Sequence, residues 1–154
     1  MAFAETTSVP VERTVSEIQR MLERAGATHY AYMTRPGGAV VCFRHTNLTI
    51  KIDFAVPARD EKRFTIVPNS TWQERSADGA IRAWEQAVRS RYPAIMLVIK
   101  AKLEAISAGI STVENEFMPY VVLGDGKTIG DHVQPAIAAA REGRPPLLAL
   151  PLGT

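Results

Sequence analysis

The chain has little of what usually declares a chemistry. Its one cysteine, Cys42, excludes an intrachain disulfide and fits a reducing compartment. Of the three histidines, His29, His45 and His132, no two stand three or four residues apart, so a zinc site of helical spacing is excluded. No Gly-rich phosphate loop is present, since Gly37-Gly38 and Gly124-Asp125-Gly126 read as tight turns. The longest wholly apolar run, Ala94–Ile99, falls far short of the ~20 residues of a membrane span, so no membrane partner is expected. The first residues, MAFAETTSVPVERT, lack a basic region followed by an apolar core, so no secretory leader is expected. Together these shortages lead us to expect no metal, no cofactor and a cytoplasmic location.

What is present suits one ordinary domain. At 154 residues, with 46% apolar and 22% charged side chains, the chain can bury a core without disulfides or metal. Its net charge of +2 is unevenly spread. Residues 35–102 hold twelve Lys or Arg against six Asp or Glu (+6), residues 103–154 three against six (−3), and residues 1–34 three against four (−1). Such asymmetry suits a surface that meets phosphate or an acidic partner, or a basic solvated region without a partner.

The stretch from Ala80 to Gly109 organises the rest. Ile81, Trp84, Val88, Tyr92, Ile95, Ile99, Leu103, Ile106 and Ile110 recur at three and four residues and form one helical stripe. The other side carries Ala83, Ala87, Ala94, Leu97, Val98, Ala101, Ala105 and Ala108, with charges confined to the flanks. A helix apolar front and back is expected to be covered on both sides. Pro93 should bend it, at a cost of ~3 kcal/mol.

The remaining order predicts an α+β fold: a lead-in over 1–13, then a single domain over 14–154. An N-terminal helix opens on a Thr14–Glu17 capping box and ends at Gly26. An antiparallel meander of three to four strands follows: His29–Thr34, Ala39–Arg44, Leu48–Val56 and an edge strand at Phe64–Val67. After the long central helix, capped by Ser76 or Asp78 and packed on the sheet, comes a second capping box, Ser111–Glu114, on a short helix. A short strand at Tyr120–Leu123, a tight turn and a last helix from Thr128 to Arg141 complete the domain, with an apolar tail, LLALPLGT, that packs on the domain or a neighbour.

Several constellations can be weighed. Asp53 followed by Asp60-Glu61-Lys62 has the letters of a metal-dependent phosphodiesterase, two carboxylates for Mg²⁺ and a lysine for the attacked phosphate, but the second half falls in a turn after Pro57. Cys42 reads as a buried strand thiol. The stronger feature is basic and aromatic residues interleaved around the sheet, from which we take Tyr32, Arg44, Lys51, Arg75, Arg82 and Arg89 as a nucleic-acid-binding set. Aromatic faces stack on unpaired bases while Lys and Arg follow the backbone. The competing reading is that Tyr30 and Tyr32 face the core and Trp72 anchors its loop.

The segment Ala83 to Thr128 resembles a group of small uncharacterised proteins encoded by bacteriophages and prophages. The resemblance lies in Ala83-Trp84-Glu85-Gln86, Leu97 through Ala105, Gly109-Ile110-Ser111-Thr112, Glu114, Glu116, Phe117 and the Asp125-Gly126-x-Thr128 turn. It implies a phage context and a host cytoplasm, brings no activity and transfers no functional residue. Pro93 is unusual for that group. By fold-level analogy, helix, meander and long helix is an order shared by double-stranded-RNA-binding domains and strand-annealing proteins. The expected function is a non-enzymatic protein binding nucleic acid, single-stranded DNA or RNA. The alternative is a protein-binding inhibitor of a host defence system or host enzyme, and a homodimer through the alanine face or the tail is possible.

Overall fold

The computed structural model describes residues 11–70, 72–145 and 147. Residues 1–10 of the lead-in expected over 1–13 and most of the apolar tail lie outside them, and Val11, Glu12 and Arg13 are the first turn of a helix and not part of a lead-in. Helix α1 runs Val11–Arg24, and strands β1 (His29–Arg35), β2 (Gly38–His45) and β3 (Leu48–Ala55) follow. A one-turn helix, α2 (Lys62–Thr65), precedes the long α3 (Ala77–Ser107). Then come α4 (Val113–Phe117), a 3-10 turn over Met118–Tyr120 and α5 (Ile129–Arg141). The fold is α+β, as the pattern of periods predicts.

The three strands form an antiparallel sheet in the order β1-β2-β3. The register sets Tyr32 opposite Val41 and Val41 opposite Ile52, and likewise Tyr30, Phe43 and Ile50. Those residues share a face by the two-residue period of a strand. Helices α1 and α3 cover that face, and Ile18, Leu22, Val41, Phe43, Ile50, Ile52, Ile95, Ile99 and Phe117 close the core. The two helices run in parallel: Val11 and Glu12 line a hollow with Trp84 and Val88, while Met21 and Ala25 meet Met96 and Leu103.

Several local expectations are corrected. Thr14 lies inside α1, 2% exposed, and not at its N-cap, because it shares a face with Ile18 and Leu22. Phe64–Val67 is not a fourth strand. Phe64 is buried from the turn of α2, and only Ile66 pairs, in a single bridge to Glu74. The cap of α4 is Thr112, which accepts from Asn115 N, and Tyr120–Leu123 contributes isolated bridges and not a ladder. Thr128 and Asp131 do form a full capping box at α5, and Ser76 caps α3 through Gly79 N.

The most consequential correction concerns α3. It continues through Pro93, but among the described residues its alanine side is only partly covered: Ala83, Ala87, Ala94 and Ala105 are half-buried. Leu97 and Val98 are each 49% exposed, and Ala101 and Ala108 are exposed as well. One sheet and α1 occupy the Tyr92–Ile95–Ile99 side, while α5 packs on the 3-10 turn instead of the alanine stripe.

Candidate nucleic-acid interface

Helices cover one face of the sheet, and its opposite face is built from the alternate residues of each strand. Across β1, β2 and β3 it carries the rows His29–Arg44–Thr49, Ala31–Cys42–Lys51 and Met33–Val40–Asp53. Arg35 stands at the β1 end beside Gly38, and its Nη2 donates to Asp53 Oδ1 at 2.7 Å, an ion pair with both partners about half exposed. Arg44 and Lys51 are diagonal neighbours on adjacent strands, a separation of ~7–8 Å or somewhat less between Cβ atoms. Neither donates a hydrogen bond nor forms an ion pair among the described residues.

Lys51 also borders a groove of about 350 Å³ between the β3 edge and the N-terminus of α5, with Asp53, Tyr120, Thr128, Asp131 and Gln134. The Asp131 carboxylate is held below its ordinary range, first by the Thr128 backbone N–H and then by the Thr128 side chain, with Lys51 and His132 adding smaller contributions. Cys42, across the pair from Lys51, has its thiol pushed up by burial, and the lysine only partly opposes this. It is therefore a poor nucleophile at neutral pH.

The expected site residues do not converge. Tyr32 is on the helix-covered face, where its hydroxyl meets that of Tyr92 at 2.5 Å and the rings pack edge to face. Burial and this hydrogen bond raise the Tyr92 phenol strongly. Arg75 is half-buried and donates Nε to Ile66 O, a structural contact. Arg82 is exposed on the first turns of α3, while Arg89 donates to Glu85 O and lies beside Val11 and Glu12 of α1. Arg44 and Lys51 are thus the two members of the set that share a surface.

Elsewhere, Asp53 is engaged by Arg35, and no group of three or more His, Cys, Asp or Glu that could hold a metal occurs among the described residues. His132 Nε2 lies 2.8 Å from Asp125 Oδ2, a pair that braces the turn before α5. Trp72 belongs to the interleaved basic and aromatic residues but not to the expected binding set. It is 89% exposed, so among the described residues its ring does not anchor the loop. The loop is fixed by Arg75 N to Thr65 O, Val67 N to Gln73 O, and the Ser70 hydroxyl accepting from Gln73 N. A lone tryptophan in a stretch with no apolar period was the available signal.

Among the described residues no helix is long and apolar enough to cross a membrane. Compared with known proteins, the chain matches no family model, no curated protein and no solved structure.

Proposed function

We propose that the protein binds nucleic acid through phosphate contacts on the uncovered face of its sheet. The observation that carries this is the Arg44–Lys51 pair, two neighbouring cations whose side chains make no hydrogen bond or ion pair among the described residues, on the face opposite α1 and α3, with only the weaker pull of Asp131 on Lys51. His29 and the Thr49 hydroxyl stand in the same row as Arg44 and extend the donor set. Backbone contacts of this kind are sequence-independent and strongly salt-dependent. The finer expectation of a single strand rested on Tyr32 as a stacking platform, and that ring faces the helices. The reading therefore rests on phosphate, with single and double strands both admitted. The phage context is proposed on the strength of the sequence resemblance.

The test is anisotropy of labelled single- and double-stranded oligonucleotides across a salt series. Losing two phosphate contacts should lower the slope of log K against log salt by roughly 1.4–1.8, from ~0.7 to ~0.9 per contact. Arg44→Ala with Lys51→Ala is expected to do this. Flat binding by the unaltered protein, or an unchanged slope in the double variant, refutes the reading.

A second reading, a protein-binding module, is favoured by one observation: the outward stripe of α3 from Ala83 to Ala108 carries no charge, and Leu97 and Val98 on it are half exposed. Solvated helix faces ordinarily carry charge. Val98→Glu would then abolish capture of a host protein that survives nuclease treatment, while oligonucleotide binding stays unchanged.

A further inference from the structure

We propose that the free edge of β1 pairs with β1 of a second copy, antiparallel and centred on Tyr32, joining the two sheets into one. The two edges of the sheet differ. The β3 edge is closed by the chain itself, where Val121 bridges to Ile50 and Val122 N donates to Thr49 O at 2.8 Å. Among the described residues nothing pairs with β1 on the side away from β2.

Register identifies the free groups. Thr46 and Asn47, both at positive φ, form the two-residue turn from β2 to β3, so Ala39, Val41, Phe43 and His45 exchange hydrogen bonds with β3. Gly38, Val40, Cys42 and Arg44 therefore bond to Arg35, Met33, Ala31 and His29 of β1. The N–H and C=O groups of Tyr30, Tyr32 and Thr34 are left pointing outward. These positions are symmetric about Tyr32. In an antiparallel two-fold pair Tyr32 meets its own copy and Tyr30 meets Thr34, each pair exchanging two hydrogen bonds. The same register sets Met33, 52% exposed, against Ala31 on the face opposite the helices.

The strand has none of the usual protections of an edge. It holds no proline and no lysine, it pairs with β2 without a bulge, and it is uncharged from Tyr30 to Thr34. Charge stands at its ends: His29 would face Arg35 of the second copy, whose guanidinium is engaged by Asp53 at 2.7 Å. Residues 1–10 of the same chain do not fit the edge. Helix α1 begins beside Trp84, whose indole donates to Pro57 O near the Arg35 end of the sheet, and it ends at Ala25 O beside His45. A strand leading into it would run parallel to β1. Seen from the helices with β1 upward, an L-residue facing the viewer carries its N–H and C=O to the right, so the open edge is on the right. Crossing through α1 from there to β1 would be left-handed, whereas roughly 98% of such connections are right-handed. A seam of seven residues, about 24 Å at ~3.4 Å each, belongs with small interfaces below ~1,200 Å², so the pair is reversible.

The experiment joins sedimentation velocity with disulfide trapping. The unaltered chain should show a monomer–dimer equilibrium as concentration rises. Thr34→Pro removes an outward donor and no bond to β2, and should abolish the dimer while circular dichroism stays unchanged. Ala31→Lys with Met33→Lys sets lysines against lysines across the seam and should abolish it independently. For trapping, Cys42→Ser removes the native thiol opposite Ala31. In that background Ala31→Cys with Met33→Cys should oxidise to a covalent dimer, since the two positions face each other across the seam with Cα atoms ~4.5 Å apart. Either cysteine alone meets its copy only on the diagonal and should give little dimer. A chain that stays monomeric at millimolar concentration overturns the proposal, as does a dimer that survives both edge variants or trapping by the single cysteines equal to the double. A dimer that Val98→Glu abolishes while Thr34→Pro preserves it would place the contact on the α3 stripe and also overturn it.

Discussion

Replacing Pro93 with alanine should stabilise the protein. Proline in a helix interior has no N–H for the carbonyl four residues back, here Arg89, and its ring crowds that carbonyl, at a cost of ~3 kcal/mol relative to alanine. Yet α3 runs unbroken from Ala77 to Ser107 with Pro93 at its middle, so the cost is borne within a continuous helix. Pro93 is only half-buried and lies off the stripe of Tyr92, Ile95 and Ile99, so trimming its ring opens no core cavity. One term opposes the gain. Alanine frees the unfolded chain, which lowers stability by ~0.4–1 kcal/mol. The net expectation is about 2 kcal/mol, or a rise in Tm of roughly 4–8 °C for a chain of this size. Calorimetry and urea unfolding check it. A lower Tm for Pro93→Ala would show that the core is fitted to the proline, and the account of Pro93 as a net burden on α3 would be wrong.

Tyr30 has a buried hydroxyl with no hydrogen-bond partner among the described residues, and burial, with Tyr32 beside it, pushes its phenol up to about 12. Tyr30→Phe should therefore stabilise by about 1 kcal/mol, read from the urea midpoint. Ile99 is fully buried between α3 and the sheet, so Ile99→Ala should cost ~2–5 kcal/mol. Thr128→Ala removes the acceptor at the α5 N-cap and should cost about 1 kcal/mol in thermal unfolding. The Asp131 carboxyl is held below its ordinary value of 3.8, so the stabilisation it provides is complete above that pH and disappears as pH falls through the lower folded value. Asp131→Asn should flatten the acid side of the stability profile below about pH 3.8.

The long periods were legible because each repeats enough times to outvote local chemistry. Leu48–Ala55 alternates four times and α3 repeats its stripe for eight turns, and both came out within a few residues. Short elements were not. Phe64 reads equally as a strand residue or as the buried side of one helical turn, and Glu61 accepting from Ala58 N is what selects the turn. Thr14 has the residues of a cap three positions before Glu17, but packing against the core decides where α1 lies. The open side of α3 was misjudged for a different reason. Hydrophobic pattern states which faces prefer cover, while the number of elements available to supply it is a property of the whole chain. Here one sheet and one helix are used up on the first face. Which side of the sheet Tyr32 takes followed from register with Val41, which no single strand reveals.

The chain from Gly109 to Thr128 is a fastening. Gly109 ends α3 with a φ of 70°, which favours glycine, and Thr112 caps α4. Phe117 then enters the core, fully buried against Phe43, while Lys102 donates to Glu116 O and passes over the Phe117 and Tyr120 rings. Val121 bridges to Ile50, which ties this strap to the edge of β3. Asp125 accepts from Lys127 N, Gly126 takes a φ of 80°, and Thr128 opens α5. Each of these residues has a structural duty that explains its presence in the string. A string of this kind closes the sheet edge and by itself says nothing of what the protein binds. Arg44, Lys51 and Trp72 have no such duty and lie outside the segment Ala83 to Thr128, while Leu97 and Val98 lie within that segment, half exposed on α3, and specificity is to be sought among these five.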